Sequence, residues 1–500
     1  MARSHLINLL HRAYQLARIS SNHSISPIEA EELWHDRLSR RQVLQTGALL
    51  AVAGIAPQLP AAIAPTDGTN RVLIVGAGIA GLTAAYRLHQ AGVAVDVVEA
   101  SQRVGGRLSS VTNLPNTPGT VELGGEFIDT QHTTVRSLAV ELGLELADLR
   151  HADLGLEPEV LYFQGQRLSH SVLAEAFSPL ADRIAGDLKR LSDRTIHYRS
   201  PQPLAVQLDR LSLADYLAAT PIDPLVEQMV RVAYITEYGR DAEEQSCLNM
   251  LFLIGCETGK WSTYGISDER WHVIGGNDQI PQRLAAQLSE AIETGTVLES
   301  IRSRSNGSYQ VSLRQDGNSV ERTYDRILLT VPFTVLRQVE LAVDLPMVKR
   351  QAIDQLGYGT CTKLVTSYKE RIWRDRHAST ISVYTDLDFQ NTWESARYFV
   401  GSNGWVTNLR GGRQGLNLGT GDPNAHATQL AENLEPIFPG IKAIERGKSL
   451  RAFWAAEPYA LGSYSCYKPG QWTQLAGAEG ERVGNLWFAG EHCSAESQAT

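Results

Sequence analysis

The 500-residue sequence is poor in cysteine, in net positive charge and in long apolar runs, and each shortage excludes a class of function. Its five cysteines, Cys247, Cys256, Cys361, Cys466 and Cys493, are scattered and odd in number, with no paired spacing for zinc or for a disulfide framework. They read as small buried hydrophobes, and no metal site is expected. Lys and Arg together number 46 against 55 Asp and Glu, and the net charge of −9 argues against a nucleic-acid binder, which needs a basic face to neutralise phosphates. The same charge is compatible with cationic substrates. No segment approaches the ~18 consecutive apolar residues of a membrane-spanning helix, so no stable transmembrane helix is expected. Internal repeats and low-complexity tracts are also missing.

What is present is an ordinary globular composition, 43% hydrophobic and 20% charged, in a chain too long for a single core. Residues 1–64 stand apart. Ser39-Arg40-Arg41-Gln42-Val43-Leu44 resembles a twin-arginine export signal, and a weakly apolar run from Thr46 to Ala56 follows it. Ala62-Ile63-Ala64 then offers the small residues of a signal-peptidase site. Cleavage is expected after Ala64, with the folded chain exported to a periplasm or other extracytoplasmic compartment. The alternative is an amphipathic extension with a chance arginine pair, since Val43 and Gln45 stand where Phe and Lys are commoner.

Arg71-Val72-Leu73-Ile74-Val75 is a short β-branched run of the kind buried in parallel sheets. It runs into Gly76-Ala77-Gly78-Ile79-Ala80-Gly81, a helical pattern to about Gln90, and a second strand, Ala94-Val95-Asp96-Val97-Val98. Gly76 permits the tight turn, Gly78 lets a pyrophosphate approach the backbone, and Gly81 lets helix and strand pack closely. The helix N-terminus at Ile79 and Ala80 offers free amides and a positive dipole end to phosphate. Glu99, 23 residues after Gly76, can accept hydrogen bonds from an adenosine ribose. A lone G-x-G-x-x-G is weak evidence. Strand, glycines, helix, second strand and acid in register point to dinucleotide binding.

Glu99-Ala100-Ser101-Gln102-Arg103-Val104-Gly105-Gly106-Arg107 resembles the E-A-x-x-R-x-G-G-R segment of the flavin amine oxidases, which include monoamine, polyamine and L-amino-acid oxidases. Glu122-Leu123-Gly124-Gly125-Glu126-Phe127-Ile128 is similar to the family's E-L-G-G-x-W-I, and Trp271 through Pro281 to its W-x-V-x-G-G-x-x-x-L-P. Leu328 through Pro332, Trp454 through Tyr464 (W-x-x-x-P-x-x-x-G-x-Y) and Phe488-Ala489-Gly490-Glu491-His492 continue the likeness in the family's order. The resemblance implies an α/β chain, α+β overall. A Rossmann-like FAD-binding domain would be built from discontinuous segments, 66–130, 268–332 and 450–500. A substrate domain would be inserted between them, largely helical over 131–267 and mixed sheet and helix over 333–449.

The resemblance also implies residue roles. Arg103 or Arg107 pairs with phosphate, and Val297 meets adenine through its backbone. Gly124, Gly125, Glu126 and Phe127 pass beside the isoalloxazine ring, while Gly490 and Glu491 lie near the ribityl chain. Lys363, within the G-x-G-x-x-x-K-x-V pattern of residues 357–365, matches the lysine that holds a water near flavin N5; otherwise it would be a surface charge. Tyr464 matches one wall of the aromatic cage. Trp454 is balanced between cage and core. Ser463 falls where covalent members carry cysteine, so the FAD is expected to be noncovalent. Glu126 and Asp129 are departures, read either as binding a cationic substrate group or as accepting local hydrogen bonds. The arginine that clamps substrate carboxylate in snake-venom L-amino-acid oxidases should fall near Phe127 and is absent.

These residues together suggest an L-amino-acid oxidase favouring basic amino acids. Hydride transfer to flavin N5 would yield a 2-oxo acid, ammonia and hydrogen peroxide. A polyamine or monoamine oxidase is the close alternative. A carotenoid or porphyrinogen desaturase would need an apolar insertion that is not seen, and intact Lys363 argues against a non-catalytic flavin protein. The expected partners are a small amine or amino acid and dioxygen as electron acceptor, with homodimerisation allowed. The family continues past F-A-G-E with a glycine-led helix aimed at the flavin, so a truncated sequence is expected, and a protein ending at Thr500 should bind FAD poorly.

Overall fold

Four apolar residues in a row, without polar alternation, need cover on both faces of a sheet. The computed structural model describes residues 71–494 apart from 113, 115–118, 170–172, 174, 192–195, 255–267, 396 and 398–400. In it Val72–Val75 is buried along its whole length. This strand lies at the centre of a parallel five-stranded sheet, in the order Leu486–Phe488, Arg326–Leu329, Val72–Val75, Val95–Val98, Ile292–Glu293. The helix Ile79–Gln90 packs on one face through Leu82 and Ala85, with Leu138, Ile280 and Leu284 beside it. Leu73, Val75, Ile327 and Leu329 share a second core with Ile301, Val311 and Leu313 of a four-stranded sheet, Thr296–Ser303 and its neighbours. Each such aliphatic side chain contributes about 1.5–3 kcal/mol on burial.

The second unit carries a seven-stranded sheet in the order Glu445–Phe453, Thr362–Tyr368, Gly404–Arg410, Asn391–Ser395, Val383–Thr385, Val160–Phe163, Gln166–Arg167. Helices between Ser178 and Leu253 form their own core around Leu180, Ile184, Tyr216, Met229, Tyr234 and Leu251. The longest, Pro224–Tyr238, starts where Asp223 accepts from the Leu225 amide at 2.8 Å and stops at Gly239, which takes φ 70°. Near that stop the Thr236 carbonyl lies 3.4 Å from Cys361 Sγ, just ahead of the strand Thr362–Tyr368.

Strand pairing places the seams between the units differently from the segment limits read in the sequence. Glu340–Ala342 pairs in parallel with Thr296–Ser303, and Ala352, Ile353 and Leu356 join the nucleotide-side core, so that unit runs past residue 332. Glu445–Phe453 crosses residue 450 because its register with Thr362–Tyr368 continues to Phe453. The helical stretch also donates Val160–Phe163 to the seven-stranded sheet. Among the described residues no helix is long and apolar enough to cross a membrane. The export signal, Cys256 and Thr500 lie outside the described residues.

Candidate active site

A cavity of about 1290 Å³ runs between the two units. It is larger than the few hundred to about 1,000 Å³ of ordinary ligand pockets. The fingerprint forms one wall. Gly76 turns with φ 105°, which an L side chain rarely adopts, and delivers the chain to Gly78 at the start of the helix. A β-carbon on Gly78 would meet nothing within 4 Å, so the backbone is open to the cavity. No side chain caps this helix, and Ile79 and Ala80 line the cavity beside its uncapped first turn. Glu99 is buried at the same wall, one oxygen accepting the Ala77 amide at 2.8 Å and the other the Ser101 amide at 2.9 Å. Those bonds fix the carboxylate and leave lone pairs for further donors.

Of the residues assigned to cofactor binding, Ala100, Arg103, Gly105, Gly106, Arg107, Gly124, Gly125, Phe127, Val297, Trp454, Gly490 and Glu491 also line the cavity. Gly81 and Glu126 do not. Gly81 lies against the Gly76 carbonyl behind the wall. Arg103 donates to the carbonyls of Leu108 and Gly106, knitting its own loop together. Arg107 donates to the Ser463 carbonyl and pairs with Glu491 at 3.2 Å, tying the first and last family segments to one another.

Lys363 reaches the cavity from the buried strand Thr362–Tyr368. Its Nζ donates to the Gly124 carbonyl at 2.8 Å and pairs with Glu126 Oε2 at 2.8 Å. The other Glu126 oxygen accepts from Trp393 Nε1 at 2.9 Å. Glu126 is thus held by Lys363 and Trp393 and is not among the residues lining the cavity, the local-hydrogen-bond arrangement of its two alternatives. Tyr464 lines the cavity with its hydroxyl 3.0 Å from both the Thr236 carbonyl and Cys361 Sγ. Burial pushes the Tyr464 phenol well above its ordinary value, with the neighbouring Cys361 adding to the effect, and pushes the Cys361 thiol up to about 12. Trp454 donates to the Leu123 carbonyl at 3.3 Å.

Asp129 also lines the cavity, and its Oδ1 accepts the amides of Asp268 and Glu269 at 3.0 and 2.8 Å. Glu269 is buried with φ 42°, a left-handed conformation that costs about 1–3 kcal/mol for a residue with a side chain. Burial, and then the charge of Asp129, push its carboxyl well above the usual range, while Arg397 pulls the other way. Arg397 sits 5.1 Å from the centroid of the Phe127 ring and is held by Asp153 at 3.0 Å. Phe127 in turn packs on Trp393, with ring centroids 5.6 Å apart.

The family model described as flavin containing amine oxidoreductase matches residues 79–500. The chain belongs to that family. Among relatives of these amine oxidoreductases, it is 25% identical to amine oxidase [flavin-containing] B of Sus scrofa over 84% of this chain and 81% of that one. It is 23% identical to an L-amino acid dehydrogenase of a Synechocystis species, over 86% of this chain and 91% of that one. An L-amino-acid oxidase of Siganus canaliculatus is 24% identical, over 85% and 81%. The fold is that of putrescine oxidase, with a TM-score of 0.73 at 20% identity over 86% of this chain and 95% of that one.

FAD is the cofactor of the family, and the cavity fits it. It has the open backbone at Gly78, the uncapped helix and a fixed carboxylate at Glu99 for the nucleotide half. Lys363, Tyr464 and Trp454 stand at the other half, and Ser463 puts a hydroxyl rather than a thiol there. FAD supplies the two-electron chemistry when bound; the chain's residues place an amine, hold charge and exclude water. Trp393, Arg397 and Glu269 carry no family pattern and went unread in the sequence. A signal existed for Glu269 alone, in the charged run Asp268-Glu269-Arg270 directly ahead of Trp271.

Proposed function

We propose that this amine oxidoreductase is an L-amino-acid oxidase favouring basic side chains, releasing a 2-oxo acid, ammonia and hydrogen peroxide, with dioxygen as acceptor. One observation carries the reading: the buried carboxylate of Asp129 lines the cavity, backed by Glu269. A cation entering beside this pair gains a strong Coulomb attraction and draws Glu269 toward its ionised form. Arg397, 5.1 Å from the ring of the cavity aromatic Phe127, is the candidate cation for the substrate carboxylate in place of the missing clamp, although it lies outside the cavity lining. The L-amino acid dehydrogenase and oxidase among the relatives support the same class.

A polyamine or monoamine oxidase is the second reading, favoured by the position of Arg397, which is not among the residues lining the cavity. Peroxide release with arginine, lysine, phenylalanine, putrescine and spermidine separates the two. Turnover of arginine and lysine supports the first; turnover of diamines with no amino acid oxidised overturns it. Flavin bleaching by arginine without oxygen uptake would replace dioxygen with another acceptor. Export by the twin-arginine route is part of the proposal, and finding the intact N-terminus on cytoplasmic enzyme in the source cell would refute it.

A further inference from the structure

The substrate reading leaves Glu126, the buried partner of Lys363, without a task. Both side chains are buried, Lys363 at 7% and Glu126 at 9% exposure, and only Lys363 reaches the cavity. The carbonyl of Gly124 at 2.8 Å and that of Glu122 at 3.4 Å already hold the ammonium in position. Trp393 fixes the far oxygen of Glu126 at 2.9 Å and lays its ring 5.2 Å from the same ammonium. What the carboxylate adds is therefore charge, brought into the interior at a desolvation cost that an apolar neighbour would avoid.

We infer that Glu126 is an internal counterion, a positioning residue that acts through Lys363 to cancel the positive charge beside the FAD and hold down the flavin's reduction potential. Two-electron reduction with uptake of one proton converts the neutral isoalloxazine ring to an anion. An uncompensated ammonium at the cavity wall favours that anion, and a paired one favours it much less. The inference requires FAD in the cavity and is indifferent to whether the substrate is an amino acid or a simple amine.

The test is the midpoint potential of the FAD-loaded enzyme, measured by equilibration with a redox dye, in the wild type, Glu126→Gln, Lys363→Met and the double variant. Glu126→Gln keeps the shape and removes the charge; it should raise the potential by about 30 mV, a tenfold change in the two-electron equilibrium. Lys363→Met should lower it by a similar amount, and the double variant should return near the wild-type value. An unchanged or lowered potential in Glu126→Gln, or single variants that shift in the same direction, would overturn the inference. If Glu126→Gln fails to retain FAD, the other two variants decide. A double variant above Lys363→Met supports the counterion, and equal potentials refute it.

Discussion

A β-carbon placed on Gly81 would lie 1.9 Å from the carbonyl oxygen of Gly76. The contact is backbone on backbone, so no side chain can give way to relieve it. Thr330 closes the same corner, its hydroxyl donating to the Val75 carbonyl at 2.8 Å. Helix, turn and strand therefore meet at a distance that only glycine allows. Gly81→Ala should destabilise the nucleotide unit by about 1–3 kcal/mol and lower the flavin content of purified protein. Thermal unfolding and the flavin-to-protein absorbance ratio check both effects; full flavin at unchanged melting temperature would contradict this account.

Glu99 should matter for affinity more than for folding class. In Glu99→Ala the amides of Ala77 and Ser101 lose their acceptor, each at a cost of about 1–3 kcal/mol where water cannot replace it. FAD dissociation should tighten the distinction further, with Kd rising at least about tenfold. Titrating apoenzyme with FAD by fluorescence quenching measures it, and an unaltered Kd would remove Glu99 from the binding site.

Asp129→Asn keeps the Oδ1 acceptor for the Asp268 and Glu269 amides and removes the charge. For the basic-amino-acid oxidase proposed above, KM for arginine and lysine should rise about tenfold, equivalent to 1.4 kcal/mol, with little change for phenylalanine. Equal effects on all three substrates would make Asp129 a scaffold for the backbone and nothing more.

His492 gives a pH dependence of stability. It is buried against Phe333, with ring centroids 4.4 Å apart, and neither ring nitrogen has a hydrogen-bond partner among the described residues. Burial lowers its pKa from 6.5 to about 4. A depressed histidine is charged more readily when unfolded, so its contribution is intact above pH 6.5 and is lost as pH falls through about 4. The loss at the bottom of that window is on the order of 3 kcal/mol. Urea midpoints across the window should fall less steeply in His492→Phe than in the wild type, and parallel slopes would exclude this origin.

The nucleotide half of the site was legible because each part of it is local. A turn that needs Gly76, an opening at Gly78 and a close approach at Gly81 all fall within six residues, and Glu99 follows on the next strand. Lys363 was legible only through the family pattern around it. Its pairing was not: Glu126 comes from the loop after Val121–Glu122, and Trp393 reaches Lys363 through sheet register, in which Lys363 and Asn391 both oppose Leu409. Arg397 was invisible for the same reason, since its contact with the Phe127 ring joins residues far apart in the chain.

The parallel sheet sets a timetable for synthesis. Arg326–Leu329 is flanked by Val72–Val75 on one side and by Leu486–Phe488 on the other, so the outermost strand reaches its slot only after more than four hundred residues have been made. Until then one edge of Arg326–Leu329 lacks its partner, and an unpaired edge is a template for pairing with another chain. Contacts of such sequence separation form slowly. A nascent chain stalled before Leu486 should therefore be prone to aggregate and to depend on chaperones, and occupancy by FAD should come late, after the ribosome has released the closing strand.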